Sequence, residues 1–219
     1  MDTRFVCLGN SFKEGGRCLA GIILDKNNNP ILEFGKPMWV RPTCHTLHGE
    51  VPNNIALPYQ LLDILEVSNT TPAPHYYQSE NVHFDEAGIH KVGTFDKDRL
   101  NCLCEDRRYI FKTRYPSLSE EVIQELKYSL MLVKPKQFEI IEKVYEDRTA
   151  PQHRMVFSYN NFTYDFSITD PVFLRQYHLN PDFVDGIQDV LLSLSVSVKF
   201  PPTNRYYKLV AGVIVMGYK

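Results

Sequence analysis

Hydrophobic and polar residues alternate with period two over residues 154–159 and 162–168, on either side of Asn160 and Asn161. Asparagine tolerates the positive φ that primed turns need. The pattern therefore predicts a hairpin pairing Tyr159 with Phe162, Phe157 with Tyr164 and Met155 with Phe166. Those side chains share one face, the expected core side of an antiparallel sheet. Arg154, Val156, Ser158, Thr163, Asp165 and Ser167 occupy the other face, which is expected to meet water.

Short strand patterns continue in both directions. Residues 5–8 and 17–24 are apolar runs joined by a turn-rich stretch ending in Gly15 and Gly16. Residues 37–42 read as a short strand between prolines, with Met38 and Val40 on one face and Trp39 and Arg41 on the other. Residues 61–67, 128–133, 138–145, 190–198 and 206–216 add further strands. In 190–198 Leu192, Leu194, Val196 and Val198 are expected on one face, with Ser193, Ser195 and Ser197 on the other. The last run is apolar on both faces, which predicts a central strand.

Helix signals are few. Ser117 followed by Glu120 predicts a capping box opening a helix that carries Val122, Ile123 and Leu126. Asp170 before Pro171 predicts a strand stop and a helical turn toward Tyr177, capped by Thr169 or Asp170. Meanders of short strands with so few helices predict a mainly β chain with minor α, as two small barrels or one sandwich rather than a doubly wound parallel sheet.

Composition narrows the chemistry. A chain of 219 residues can bury a core without disulfide staples, and five cysteines, an odd number, argue against a secreted disulfide framework. Cys7 and Cys18 read as buried thiols. Cys102 and Cys104, with Cys44, His45 and His48, are candidate metal ligands, yet a lone C-x-C pair lacks the spacing of a structural zinc site, so free thiols and no metal are expected. No apolar run approaches the roughly 20 residues that span a bilayer, and the first residues pass into a strand without the apolar core of a signal peptide. A cytoplasmic chain with no membrane partner is expected.

A net charge of −2 gives no support to an affinity built on phosphate neutralisation alone. Lys134, Lys136, Lys143, Arg148 and Arg154 are interleaved with Glu139, Glu142, Glu146 and Asp147, which reads as a mixed-charge surface. Dinucleotide, Walker, zinc-protease and serine-hydrolase motifs are absent, so no cofactor and no catalytic set is expected. His75, His83 and His90 lie near Glu80, Asp85 and Glu86 and are the candidates for acid–base chemistry.

Several short motifs occur in one order: residues 9–13 (GNSFK), 16–21 (GRCLAG), 39–42 (WVRP), 49–50 (GE), 62–64 (LDI) and 77–81 (YQSEN), then 129–135 (SLMLVKP), 157–160 (FSYN), 164–165 (YD), 169–171 (TDP) and 207–214 (YKLVAGVI). In this order the chain resembles the bacterial dual OB-containing domain proteins over nearly its whole length. The resemblance implies two OB-like β-barrels packed together, drawn here as residues 1–115, a first barrel with an irregular extension, and 116–219, a helix plus a second barrel. It also implies recognition of nucleic acid or nucleotides, by a non-enzymatic sensor or specificity module in a bacterial defence or mobile-element conflict system. The alternatives are an adaptor scaffold for an effector protein and an unrecognised nuclease or nucleotide hydrolase. At 102–108 the chain reads CLCEDRR, where relatives are more apolar and tryptophan-rich.

An OB barrel that holds single strands combines aromatic rings with Lys or Arg on one exposed face. Trp39 with Arg41, Lys13 and Arg17 around the Gly15-Gly16 turn, and Tyr77, Gln78 and Asn81 are therefore the candidate ligand residues. Each has a plainer alternative: Trp39 closes the barrel, Arg41 caps an acidic neighbour, and the loops bond their own backbone.

Overall fold

Alternating short strands need a closed sheet or a covered edge to satisfy their backbone, and this chain closes its sheets. The computed structural model describes residues 2–85, 88–146 and 150–219; Glu86, Asp147 and Arg148, named above, lie outside them. The chain divides into two compact units between Leu103 and Cys104.

In the first unit β1 (Thr3–Lys13) and β2 (Gly16–Ile23) form a hairpin around Glu14 and Gly15. Next come a small hairpin of β3 (Leu32–Glu33) and β4 (Lys36–Pro37), then β5 (Trp39–Thr43), antiparallel to β2. β6 (Val51–Pro52) pairs with the start of β2 and leads into the short helix α1 (Asn53–Ala56). β7 (Asp63–Val67) returns to β1, and β8 (Thr71–Pro72) continues it beyond Asn69, whose φ is 55°. β9 (Asn81–His83) then pairs antiparallel with β8 and parallel with β5, while β10 (Ile89–Thr94) adds to β7. Taking β7 and β8 as one bent strand, the order β1-β2-β5-β9-β8 closes on itself, which is OB connectivity with a parallel third and fifth strand.

The second unit repeats the plan. β11 (Ser117–Leu118) and α2 (Glu120–Glu125) precede β12 (Leu130–Val133) and β13 (Gln137–Lys143), which are parts of one strand interrupted at Pro135. β14 (Gln152–Tyr159), β15 (Phe162–Ile168), α3 (Pro171–Leu179), β16 (Ile187–Phe200) and β17 (Arg205–Tyr218) complete it. The order β12-β16-β17-β15-β14-β13, with β15 parallel to β17, is the same closed sequence of strands. Residues 104–113 belong with this barrel. Tyr159 Oη donates to Glu105 O, Asn160 Nδ2 donates to Arg107 O, and Lys208 Nζ donates to Ile110 O and Thr113 O.

The β14–β15 hairpin has the predicted register, with Asn160 and Asn161 at φ 45° and 65°, and Met155, Phe157, Tyr159, Tyr164 and Phe166 are buried. Its other face is less wet than expected. Arg154 is buried because its guanidinium reaches Asp165, Gln152 and Ser167 at once. In β16 the serine face is buried as well, with Ser193 at 0% exposure and Val198 at 60%, because the strand lies between β12 and β17 and its register breaks after Val196. The expected capping box does not form. Ser119 takes the cap position, Ser117 pairs with Tyr207 in the sheet, and Glu120 instead accepts from Tyr206 Oη.

Asp170 performs the predicted stop and more. Its Oδ1 accepts from the amides of Val172 and Phe173 at the start of α3, and its Oδ2 accepts from the amide of Val213 in β17. One buried carboxylate thus ties the helix to the central strand. Gly21 serves a different need, since a Cβ there would sit 1.9 Å from Val6 O, so only glycine lets β2 approach β1 this closely.

Lys208 is the unexpected residue of the last strand. It is 1% exposed, its ammonium lies 5.8 Å from the ring centres of both Tyr164 and Phe166, and it donates to Ile110 O and Thr113 O at 2.6 Å. Those carbonyls belong to a turn in which Phe111 and Lys112 have φ 46° and 65°. Burial pushes the Lys208 pKa down to about 7, while the carbonyls favour the charged form.

Asp170→Ala should lower stability by about 2–4 kcal/mol in urea unfolding, because a cap is lost and the buried Val213 amide is orphaned. For Lys208 the folded pKa lies below the unfolded value of 10.5, so the unfolded chain binds more protons between those values and stability should rise with pH from about 7 upward. Unfolding midpoints at about pH 6.5 and about pH 9 should show this rise, and Lys208→Met should flatten it.

Candidate nucleic-acid interface

Val40 of β5 points into a core with Phe5, Cys7, Leu19 and Val51. Strand alternation therefore puts Trp39, Arg41 and Thr43 on the outer side of β5. The register with β9 carries that side to Asn81, opposite Arg41, and to His83, opposite Thr43. Through β2 it carries on to Cys18, and then to Ser11 and Lys13 of β1. Lys13, Trp39, Arg41 and Asn81 thus lie on one outer face, brought together by three strand pairings.

Arg41 is 2% exposed and is anchored. Its Nη1 lies 3.1 Å from Glu80 Oε1 and 3.3 Å from Asn81 Oδ1, and its backbone amide donates to Glu80 O. Burial works against its charge, but Glu80, Cys18 and Tyr77 outweigh it and hold its pKa above the ordinary arginine value. Arg41 Nε has no hydrogen-bond partner among the described residues. Asn81 Nδ2 in turn donates to Gln78 Oε1 at 3.2 Å, so Gln78 joins the same chain of contacts.

Lys13 differs. It is half-buried beside Arg41, Cys18 and Glu50, with Nζ 3.8 Å from the Cβ position of Gly49. Among the described residues its ammonium makes no hydrogen bond and no ion pair. Burial, with a smaller contribution from Arg41, lowers its pKa against the opposing effects of Cys18 and Glu50. An incompletely solvated ammonium beside a buried guanidinium favours an incoming anion.

Arg17 and Tyr77 do not join this face, and Trp39 joins it only half-exposed. Arg17 points to the opposite side, donating to Asn53 Oδ1 at 3.2 Å with its guanidinium 4.6 Å over the ring of Phe12. Trp39 is half-buried, and among the described residues its covered Nε1 has no hydrogen-bond partner. Tyr77 is 3% exposed, whereas Tyr76, which the sequence reading passed over, is 54% exposed and meets Tyr77 edge to face. Its φ of 57° turns it outward. The signal was present as a tyrosine pair, of which a turn can bury only one.

Of the acid–base and metal candidates, the His45 and His83 rings lie 4.5 Å apart. His83 Nδ1 lies 2.7 Å from Thr43 Oγ1, His90 Nε2 lies 3.7 Å from Glu66, and Glu80 is engaged with Arg41. Cys44 is buried, all five cysteines are free thiols, and among the described residues no group of three or more His, Cys, Asp or Glu side chains is placed to hold a metal. No helix of the described chain is long and apolar enough to cross a membrane. On the corresponding strands of the second barrel, Arg154 and Lys143 both pair with Asp165. Burial raises the Asp165 pKa, but these two cations more than offset it and hold the carboxyl below its usual range. Both cations of that face are thus held by one carboxylate, whereas Lys13 has no such partner among the described residues.

The family model described as dual OB-containing domain matches residues 3–213. No curated protein matches the chain. Among solved structures, the HINa domain of Ifi202 in complex with a 20-base-pair DNA duplex is similar at 12% identity and a TM-score of 0.32, covering 100% of this chain and 96% of that one. At that level of similarity the duplex describes the other protein's ligand and not this one's.

Framework and contact residues separate in a substitution test. Arg41→Met removes the ion-pair partner of the buried Glu80 carboxylate and the tie to Asn81, and should cost about 3–5 kcal/mol of stability. Lys13→Met should change stability by less than about 0.5 kcal/mol in the same urea titration, since it breaks no pairing.

Proposed function

We propose that this chain, which belongs to the dual OB-containing domain family, binds nucleic acid or a nucleotide on the outer face of its first barrel. OB barrels hold ligands across their second and third strands, between the loop joining strands one and two and the loop joining strands four and five. Here those parts are β2 and β5, the Glu14-Gly15 turn, and residues 73–80 with Tyr76, Tyr77 and Gln78. The observation that carries the reading is the Lys13 ammonium, which makes no hydrogen bond or ion pair among the described residues, on the same face as Arg41 and Asn81. Lys13 contacts a phosphate, Arg41 paired with Glu80 and Asn81 holds the strands beneath it in place, Tyr76 and Trp39 offer ring surface for stacking, and the Gln78 amide meets a base edge.

The mechanism is recognition without turnover, and its natural use is as a sensor or specificity module, including the defence or conflict-system role that the family resemblance suggested. With Lys13 as the phosphate contact, the ligand is nucleotide-sized or a short single-stranded segment. Affinity should then fall with salt at a logarithmic slope of about −0.7, the value for one single-strand phosphate, rather than at several times that figure.

Titrating the protein with single-stranded DNA, single-stranded RNA and mononucleotides, followed by the fluorescence of Trp39, tests this. Saturable binding with that shallow slope, weakened roughly tenfold or more by Lys13→Met, is expected, in line with a charge-assisted contact. Absence of saturable binding to all of these ligands at low salt overturns the reading.

A further inference from the structure

The β3–β4 hairpin presents one aromatic ring at a cost in stability. Leu32 pairs with Pro37 and Glu33 with Lys36, leaving Phe34 and Gly35 as the loop at φ 50° and 74°. Such primed turns favour Asn, Asp or Gly at the first position, because a side chain with a bulky Cβ substituent is strained in the left-handed region. Phe34 holds that position and is 96% exposed. Backbone strain and bare apolar surface thus coincide at one residue. The hairpin beneath it is firmly seated, since Ile31 N donates to Ile23 O, Met38 N to Ile31 O and Ile23 N to Met38 O, at 2.9, 2.9 and 2.8 Å.

The hairpin is also continuous with the candidate interface. It is the connection between the second and third barrel strands, and the chain runs from Pro37 through Met38 directly into Trp39 and Arg41. We infer that Phe34 is a stacking finger, on whose ring a base of a single-stranded nucleic acid rests as the strand leaves the Lys13–Arg41 face. This rests on the nucleic-acid reading above and extends the site by one nucleotide contact. A base needs only a flat exposed ring with a cation in reach of its phosphate, and Lys36, exposed beside Phe34, supplies the cation. A protein anchor residue is instead ringed by surface that excludes water, whereas Glu33 and Lys36, both exposed, flank this ring, and Leu32 is half exposed opposite Pro37.

The test compares the full-length protein with Phe34→Asn and Phe34→Tyr, using an oligothymidine of about twelve nucleotides, within the range of OB site sizes, and thymidine monophosphate as probes. Asparagine suits the turn, so the thermal midpoint of Phe34→Asn should equal or exceed that of the parent. Its affinity for the oligonucleotide should fall about five- to a hundred-fold, the loss expected when one stacked base is released. Thymidine monophosphate, held at Lys13, should bind unchanged, and Phe34→Tyr should restore oligonucleotide binding. Equal oligonucleotide affinity for the parent and Phe34→Asn overturns the finger and leaves the proposed function standing. If the parent binds neither probe, both fail.

Discussion

A parallel pairing of two or three residues closes each barrel, between strands that lie far apart in sequence. In the first it joins Arg41–Thr43 to Asn81–His83, and in the second Ser167 and Ile168 to Leu209 and Val210. So short a ladder offers few backbone bonds against the entropy of closing its loop, and both barrels reinforce it with side chains. Thr43 Oγ1 donates to Val82 O and Thr169 Oγ1 donates to Val210 O, the same device at the same place in both units. Each then adds its own polar clamp. The first uses Arg41 with Glu80 and Asn81, and the second uses Asp170, divided between α3 and β17.

These clamps account for where the charge of the molecule goes. Arg41, Arg154 and Lys208 are cations buried to keep backbone and carboxylates satisfied, and each is surrounded by acceptors that its burial makes strong. Counting lysines and arginines therefore says little about binding. On the outer face of the first barrel the clamp does double service, because Arg41 is both the tie between the third and fifth strands and the fixed charge beside Lys13. Under the proposed function, stability and recognition are therefore coupled at Arg41.

The hairpin at Phe34 shows the opposite allocation. Nothing in the barrel depends on its ring, and the turn would be easier with another residue. Strain tolerated at an exposed position is informative because the rest of the unit must supply the stability to hold it. Tyr76, also exposed at positive φ, stands in the loop between β8 and β9. Both rings stand on connections between strands rather than on the barrel strands themselves.

Local order was legible in the sequence. The Asn160-Asn161 turn with its cross-strand partners, the strand stop at Asp170 and the central place of the last strand all follow from period-two alternation and turn chemistry, which act over a few residues. The order of motifs along the chain pointed to a pair of OB barrels, and the strand connectivity has that form. Partners from distant segments were not legible. Ser117 looked like a helix cap until β17 drew it into the sheet, and Lys208 looked like one polar residue in an apolar strand until residues 110–113 brought carbonyls to its ammonium. For Arg41 both a ligand contact and a cap on an acidic neighbour were open, and only the closing of β5 on β9 showed that the neighbour is Glu80, with Asn81 beside it. The reason is physical: a residue's own neighbours set its backbone preference and the face it takes, but whether a charged group there meets water, a ligand or a buried partner depends on which remote segment the closing of the barrel places against it.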